Sequence, residues 1–420
     1  MSLTFSSFVV VSGLVIAAIL TSNVFKLSKP LDSRTIVPGM YTNDFDAINA
    51  ACQVIAQAIS IESDVHWPGS SEFDVDIHHW ASSSTERSRC SVRPANTSDL
   101  AIILELTLTK MVKITGGGHA LNPGFSSTTG IHIAMSRFID LKHNEDARTV
   151  DIGAGLRWDD VYGLLNPNGY SVGGTVIVPE SGIERANNII AGFAANIRDP
   201  KATVNIIYEF AEGSLNAIIV VFYNAPEPPA GLFDEVLSIQ NGVVHVSSFP
   251  FLDLLSAGQP RNTPRRIQDE VPVQKWTPYI LNKVANETKF WGSYLEKHYS
   301  GHFFDYVVEI FLPDYFSHGS ASAWPADRSV VHYPINVAFA WFDQKYDTAV
   351  HEALRRSVAK LRADIMTQGQ SIDDATLYPN LPIFGTPVEQ MYGKNLERLR
   401  EIRAVYDPQG IMGLTGGWHF

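Results

Sequence analysis

A glycine-rich stretch at residues 113–130 constrains the fold of this chain more than any other part of the sequence. Residues 111–115 predict a short strand that runs directly into three successive glycines at positions 116–118. Adjacent glycines let a backbone turn sharply and approach a ligand closely. The N–H groups of such a loop form an anion nest suited to a diphosphate, and Asn122 and Ser126 add polar side chains. The stretch therefore predicts a phosphate-binding loop.

Two simpler interpretations stay open when the residues are considered alone. The spacing matches neither the loop of nucleoside-triphosphatases nor the dinucleotide-binding fingerprint. The glycines could therefore serve only the sterics of a turn. His119, which follows them, could be a structural histidine with satisfied hydrogen bonds.

The remaining sequence predicts a mixture of strands and amphipathic helices. Apolar residues with helical spacing occur at 44–61. From about residue 179 onward, further strands and helices predict a second domain of α+β type. The predicted strands are 131–135, 149–152, 204–210, 217–223, 306–311 and 334–341, and the other predicted helices are 159–165, 183–195 and 348–367.

Five segments, in order, resemble one enzyme family. The glycine run with His119, Asn122, Gly124 and Ser126 is similar to the flavin loop of berberine-bridge-enzyme-like FAD oxidases, which are of the vanillyl-alcohol-oxidase type, and especially to that of their fungal members. Four further segments agree, at residues 90–94, 153–162, 378–380 and 392–408.

The resemblance implies FAD as the cofactor and a role for each matching residue. His119 would be linked covalently to the flavin 8α-methyl group, and Asn380 would contribute to the cofactor site. Cys52 and Cys90 would form a disulfide, whereas the cysteine count alone also allows two free thiols. The residues implied to line the diphosphate are Gly116, Gly117, Gly118, Asn122, Gly124 and Ser126.

The resemblance also implies a domain organisation of α+β class. Residues 42–174 would form the FAD-binding domain, and the segment 376–420 would return to it. Residues 175–375 would form an inserted substrate domain, built from an antiparallel sheet and helices.

The sequence departs from the family after the Val-Gly-Gly turn at 172–174. The block that would carry the second half of the flavin domain is missing, and the chain continues directly into the substrate domain. No cysteine follows Cys90, so a second, cysteinyl flavin link is excluded. Three explanations stay open: a block lost from the sequence, a natural deletion, or a remaining half that binds flavin weakly.

A flavin oxidase needs a group that takes a proton from the substrate. Tyr378 is the candidate from its matching position, although a packed structural tyrosine is the alternative. His332 and Tyr333 precede a predicted strand of the substrate domain and are further candidates. We predict no metal site.

Several features bear on location and partners. The apolar run within residues 1–24 is typical of a signal peptide or signal anchor, and no membrane span is expected after its cleavage. Asn96 and Asn286 begin glycosylation sequons, which agrees with secretion. The net charge of −12 argues against nucleic acid as a partner, because that binding needs clustered cations.

Two hypotheses follow from the sequence. The first is an FAD-linked oxidoreductase that transfers hydride from a small organic substrate to a His-linked flavin, which O2 reoxidises, in fungal secondary metabolism. The second is a truncated, flavin-free and inactive member that acts as a binding or scaffold protein. The missing block favours the second hypothesis, and the intact loop favours the first.

Overall fold

The computed structural model describes residues 45–107, 111–147, 149–165, 170–239, 243–250, 252–253, 264–318, 321–325 and 330–420. The predicted leader at residues 1–24 lies outside these ranges. Within them, no helix has both the length and the apolar character needed to cross a membrane.

The N-terminal lobe, residues 45–165, contains a four-stranded sheet with the strand order β1-β2-β4-β3. Strands β2, β4 and β3 run parallel, and β1 pairs antiparallel with β2. The strands are β1 Asp64–His66, β2 Cys90–Arg93, β3 Val112–Thr115 and β4 Ile131–Ala134.

One face of this small sheet is apolar because its alternate residues meet two helices, Phe45–Ala58 and Thr97–Thr107. Ile48 and Ile103 from the helices and Ile131 and Ile133 from β4 are fully buried in one cluster. The Cys52–Cys90 disulfide joins the first helix to β2, with the Cα atoms 6.3 Å apart. A short helix, Ser71–Asp76, lies between β1 and β2 in the chain.

The rest of this lobe is small. Strands β5, Leu141–Asn144, and β6, Thr149–Ile152, form an antiparallel hairpin with mostly exposed residues. The helix Trp158–Leu165 follows, with Trp158 41% exposed.

Seven antiparallel strands form the second sheet, in the order β10-β7-β9-β8-β12-β13-β11. Strand β7 crosses the boundary predicted at residues 174/175 and lies entirely in this sheet. The strands are β7 Tyr170–Pro179, β8 Ala202–Ala211, β9 Ser214–Tyr223, β10 Val243–Pro250, β11 Arg265–Val273, β12 Gly301–Ile310 and β13 Tyr333–Trp341.

Three helices cover one face of the large sheet, namely Ile183–Asn196, Pro278–His298 and Asp347–Thr367. Alternate residues of β8 and β9 are buried beneath them, which is the pattern of a sheet covered on one side. The phenol of Tyr208 donates to Asn187 Oδ1 over 2.5 Å and ties the sheet to the first of these helices. We call the opposite face of the sheet the free face, because none of these three helices packs on it. Another short helix, Asp234–Leu237, precedes β10.

The chain returns to the N-terminal lobe at its C-terminal end. Helices Glu389–Tyr392 and Leu396–Tyr406 lead to a 3₁₀ turn at Ile411–Leu414. The N–H of Ile114 in β3 donates to Thr415 O over 3.5 Å. The last residues thus extend the edge of the lobe that carries the glycine-rich loop.

Candidate functional site

The glycine-rich loop leaves the end of β3 and packs closely against the segment around His78. Gly118 has φ +72°, and a Cβ atom there would lie 3.1 Å from the carbonyl oxygen of His78. Its own carbonyl accepts from Trp80 N–H over 2.9 Å. Among the described residues, no acceptor faces the N–H groups of Gly117, Gly118 and His119. The loop therefore keeps donors available for an anion.

His79 supports the loop from below. Its Nδ1 lies 2.8 Å from Ile77 O and its Nε2 lies 2.8 Å from Ser126 Oγ. Because a carbonyl can only accept, Nδ1 carries the proton, so Nε2 accepts the hydroxyl proton of Ser126. Thr115 Oγ1 donates to Ser126 O over 2.7 Å. Ser126 thus fixes the shape of the loop and retains only acceptor capacity on its oxygen.

Asn122 connects the loop to the C-terminal segment. Its amide Nδ2 donates to Pro382 O over 3.0 Å, and its Oδ1 accepts from Phe384 N–H over 2.9 Å. A second connection lies nearby, where Phe125 packs edge-on against Trp418 with ring centroids 5.0 Å apart. Gly416 allows this approach, because a Cβ atom there would lie 1.8 Å from Phe125 O.

His119 lies beside the free donors with its side chain exposed. Its ring centroid is 5.8 Å from that of Trp80. Surrounding protein atoms lower the pKa of His119, and the charge of Arg157 lowers it further. The imidazole is therefore neutral at pH 7. Arg157 packs near the loop, since a Cβ atom on Gly117 would lie 3.6 Å from its Cγ.

The polar face of the four-stranded sheet lies beneath this loop. His66, Ser91, His132 and Lys113 lie opposite one another across β1, β2, β4 and β3. His132 is fully buried with both ring nitrogens unpartnered, and burial lowers its pKa to about 4. Its ring lies 6.1 Å from that of His79. Burial also lowers the pKa of His79, so His79 and His132 are both neutral at physiological pH.

Arg266 links the large sheet to the surroundings of His119. It pairs with Asp305 over 3.0 Å, and both side chains are nearly buried. The guanidinium carbon lies 5.0 Å from the ring centroids of both Trp80 and Phe303. Its backbone N–H donates to Ser83 Oγ over 3.0 Å, and that hydroxyl donates back to Arg266 O.

Tyr378 lies against the free face of the large sheet. Its backbone N–H donates to a carboxylate oxygen of Glu270, and its hydroxyl accepts from Asn380 Nδ2 over 2.6 Å. Its ring contacts Trp324 with centroids 5.4 Å apart. Burial raises the pKa of Tyr378, and nearby Tyr315 and carboxylates raise it further.

Two buried carboxyl groups face this tyrosine. Glu270 lies opposite Asn336 across β11 and β13, and Glu309 lies opposite Asn205 across β12 and β8. Burial raises the pKa of Glu309 to about 7 and that of Glu270 well above its usual range. The amide oxygens of Asn205 and Asn336 have no partner in the described part of the chain. A protonated Glu309 can supply such a donor.

A small cavity of about 200 Å³ lies next to Trp324. Trp324, Phe316, His332, Gln274 and Thr376 line it. Trp324 also donates to Leu377 O over 3.0 Å, so the cavity shares a wall with Tyr378.

The structure separates some of the residues that the sequence predicted. The loop residues, His119 and the C-terminal segment come together, and His332 lies in the cavity near Tyr378. Tyr333 instead belongs to the core under the helices, with its ring 5.9 Å from Trp276. Asn380 contacts Tyr378, and its carbonyl accepts from Gln268 over 2.7 Å.

Sequence reasoning missed His79, Trp80, Arg157, Glu270 and Glu309. Arg157 stood in the matching segment 153–162, and its charge next to a phosphate loop was the available signal. No sequence signal pointed to Glu270 and Glu309, because only the strand register shows which face of the sheet they occupy.

Two segments of the chain match known families. Residues 88–183 match the FAD-binding domain family, and residues 377–412 match the berberine and berberine-like family. These are the two parts that meet at the glycine-rich loop.

Fungal FAD-dependent enzymes are similar to part of this chain. An FAD-dependent monooxygenase of Arthrobotrys oligospora is 35% identical over 97 residues, 22% of this chain and 19% of the relative. An uncharacterised FAD-linked oxidoreductase of Arthroderma benhamiae is 29% identical over 129 residues, 29% of this chain and 25% of the relative. The aligned segments thus span a quarter or less of these relatives' own length.

Solved structures share the whole architecture. A berberine-bridge-enzyme-like protein of Physcomitrella patens has a TM-score of 0.62 at 12% identity, covering 86% of this chain and 97% of that one. A xylooligosaccharide oxidase of Myceliophthora thermophila, solved with xylobiose, has a TM-score of 0.64 at 10% identity, covering 89% and 100%. The predicted α+β class and the predicted resemblance to berberine-bridge-enzyme-like FAD oxidases are confirmed.

Proposed function

We propose that this chain, in which an FAD-binding segment and a berberine-like segment meet at one loop, is an FAD-linked oxidase of a small organic substrate. The oxidoreductase class and FAD rest on the family matches. The His119 linkage, O2 as electron acceptor and a role in fungal secondary metabolism are the proposed parts.

One observation carries the proposal most directly. The N–H groups of Gly117, Gly118 and His119 have no acceptor among the described residues, and the exposed, neutral His119 imidazole adjoins them. A flavin diphosphate needs such donors, and a covalent link needs an unprotonated ring nitrogen.

The cofactor residues have distinct tasks under this proposal. Gly116, Gly117, Gly118 and Gly124 give the diphosphate close access to the backbone, and Arg157 offsets part of its charge. Asn122 and Ser126 act through the loop's shape, because their polar groups already bond Phe384, Pro382 and His79. Asn380 orients the phenol of Tyr378. Bound FAD supplies the hydride acceptor.

Tyr378 and Glu309 together move the substrate proton in this mechanism. The phenol is neutral at pH 7, because burial raises its pKa. It therefore holds the substrate hydroxyl and passes its proton onward. Glu309, with a pKa of about 7, suits acid–base work near neutral pH and acts as the final proton acceptor.

Acid denaturation of the secreted protein tests the flavin link. Visible flavin absorbance that stays with the precipitated polypeptide, and is lost in His119→Ala, is the expected result. His143→Ala, in the exposed β5–β6 hairpin, serves as the matched control and keeps the absorbance. Colourless protein that stays colourless after refolding with excess FAD would refute the oxidase proposal.

The pH dependence of kcat/KM tests the proton path. Activity should rise with pH through about 7, as Glu309 ionises. Glu309→Gln should lower the rate and remove that limb, and Tyr378→Phe should lower the rate at every pH. Tyr392→Phe is the control, because the ring of Tyr392 contacts Phe420 and not the proposed proton path. An unchanged limb in Glu309→Gln would exclude Glu309 as the acceptor.

One observation favours the second candidate, a flavin-free binding protein. Among the described residues between β4 and β7, the regular elements are the exposed β5–β6 hairpin and one short helix. Trp158 and Ile152 remain exposed there, on the part of the lobe where a flavin domain would continue. Ligand binding without any flavin uptake would select this candidate.

We also place the protein in the secretory pathway. The Cys52–Cys90 disulfide is consistent with an oxidising compartment. Alkylation of the denatured protein with and without prior reduction tests it. The disulfide-bonded product should react only after reduction, whereas a cytosolic product with two free thiols would react at both cysteines without it.

A further inference from the structure

An exposed aromatic strip runs along the outer face of the helix Pro278–His298. Phe290 is 58% exposed and Tyr294 is 41% exposed. Their rings lie nearly parallel, with centroids 6.3 Å apart and planes inclined by 2°. Lys289, Ser293, Lys297 and His298 border the same shallow groove.

These two rings lie outside the core, although Tyr294 also contacts Trp291, His298 and Tyr299. The inward face of the helix is already filled by Ile280, Leu281, Val284 and Leu295. Gly292 brings the helix close to the sheet, because a Cβ atom there would lie 2.3 Å from Phe210 Cγ. Two large rings in water therefore call for a covering group.

Asn286 lies in the same groove, one turn before Phe290. It is exposed and begins the sequon Asn286-Glu287-Thr288. Residues four apart lie on the same side of a helix, so a group on Asn286 points along the strip. The hydroxyl of Thr288 is buried and donates to Val284 O over 2.8 Å, so glycan transfer must precede folding.

The other sequon lies in a different setting. The amide of Asn96 caps the helix Thr97–Thr107, and its Oδ1 accepts from Asp99 N–H over 2.9 Å. Its Nδ2 donates to Asp99 Oδ2 over 3.0 Å. The same buried carboxylate accepts from Ser60 and Ser63. A glycan added to Asn96 before folding would replace one hydrogen of the nitrogen that donates to Asp99, and it would crowd this network as the lobe folds.

We propose that Asn286, and not Asn96, carries an N-linked glycan whose first sugars lie on the rings of Phe290 and Tyr294. The apolar C–H faces of the sugars would cover the rings, and their hydroxyls would meet the bordering lysines and Ser293. The glycan thus acts as a stabilising cover for this helix. The proposal depends on passage through the secretory pathway and not on flavin.

The test uses full-length protein from a eukaryotic secretory host. Peptide mass spectrometry after enzymatic deglycosylation should find Asn286 occupied and Asn96 unmodified. Asn286→Gln should lower Tm by about 2 °C. The same change in a Phe290→Ser background should have no further effect. Tyr279 is a ring on this helix with the exposure of Tyr294, 40% against 41%. Tyr279→Ser is the control background and should preserve the loss.

Each alternative outcome has a defined meaning. An unmodified Asn286, or an occupied Asn96 in folded protein, overturns the site assignment. A Tm loss that persists in Phe290→Ser overturns the contact between glycan and ring. The Asn286→Gln protein could instead associate without any loss of Tm. If Phe290→Ser abolishes that association, the strip binds a second copy of the chain and not a glycan. These readouts need no flavin, so their failure is distinct from failure of the oxidase proposal.

Discussion

The N-terminal lobe and the large sheet bury opposite kinds of titratable group. Beneath the glycine-rich loop lie His79 and His132, whose pKa values fall because burial disfavours the charged imidazolium. On the free face of the large sheet lie Glu270 and Glu309, whose pKa values rise because burial disfavours the carboxylate. Burial therefore favours the neutral form of these four groups, although one pair is basic and the other pair is acidic.

This difference gives the two regions opposite responses to pH. A buried neutral histidine stabilises the fold above its unfolded pKa, and this stability is lost as the pH falls toward the folded pKa. A buried neutral carboxyl stabilises the fold below its unfolded pKa, and this stability is lost as the pH rises through the folded pKa. For these groups, a fall in pH from about 6.5 to 4 weakens the N-terminal lobe, and a rise in pH from about 4.5 to 7 weakens the large sheet. The proposed oxidase site lies between them.

Breaking the connection between the two regions should have the largest effect. Arg266→Ala leaves Asp305 buried without its cation and removes the contact with Trp80. We expect a loss of about 3–5 kcal/mol in the free energy of unfolding, measured by urea denaturation. Lys289→Ala, which breaks a half-exposed pair with Glu180, should cost less than about 1 kcal/mol. Equal losses in the two variants would contradict this connection.

Removing the disulfide should weaken the N-terminal lobe alone. Cys52→Ser with Cys90→Ser opens a loop with a sequence separation of 38 and should cost about 2–4 kcal/mol. Hydrogen exchange should rise in the helix Phe45–Ala58 and in β2, while the large sheet keeps its protection. Uniform loss of protection in both regions would show that they unfold as one unit.

A pH series should isolate the carboxyl region. The pKa of Glu309 rises from 4.5 to about 7, so its contribution is complete below pH 4.5 and is lost as the pH rises to about 7. Wild-type protein should lose about 2–3 kcal/mol across this window through this group. Glu309→Gln, which keeps the shape without ionising, should flatten this dependence. An unchanged slope would assign the dependence to other groups.

The corresponding histidine experiment should show the smallest effect and the opposite sign. Burial lowers the pKa of His132 from 6.5 to about 4, so its contribution is lost as the pH falls between these values. His132→Leu should resist acid better than wild type, by about 1 kcal/mol at pH 6. His143→Leu, at an exposed position, is the control. Thermal unfolding at several pH values measures both.

The sequence predicted the parts of the site that depend on local backbone chemistry. The glycine run after β3 allowed either a phosphate loop or a steric turn when considered alone, and it was recognised because four further segments resemble the same family. The strands 131–135 and 149–152 and the helix 183–195 were found from periodicity alone, close to the bounds Ile131–Ala134, Thr149–Ile152 and Ile183–Asn196. Only the helix has one buried and one exposed face; β4 is buried throughout and β6 is mostly exposed.

The parts that depend on distant contacts were not predictable in this way. The amide of Asn122 bonds residues 260 and 262 positions away, and no local pattern encodes that choice. Glu309 lies in a strand that was correctly predicted from the sequence. The residue that it faces, Tyr378, belongs to a distant segment of the chain. The helix Pro278–His298 was missed because its exposed rings weaken the apolar periodicity.

The C-terminal contacts at Gly416 and Trp418 also set an order of events during synthesis. The partner of Phe125 in the loop lies almost 300 positions further along the chain (418 − 125 = 293), so it is synthesised long after the loop. The N-terminal lobe can close its core and its disulfide earlier, but the loop receives this support only once residues 416–418 have been made. Cofactor capture should therefore follow the synthesis of this segment and be sensitive to its loss, although it lies far from the loop in the sequence.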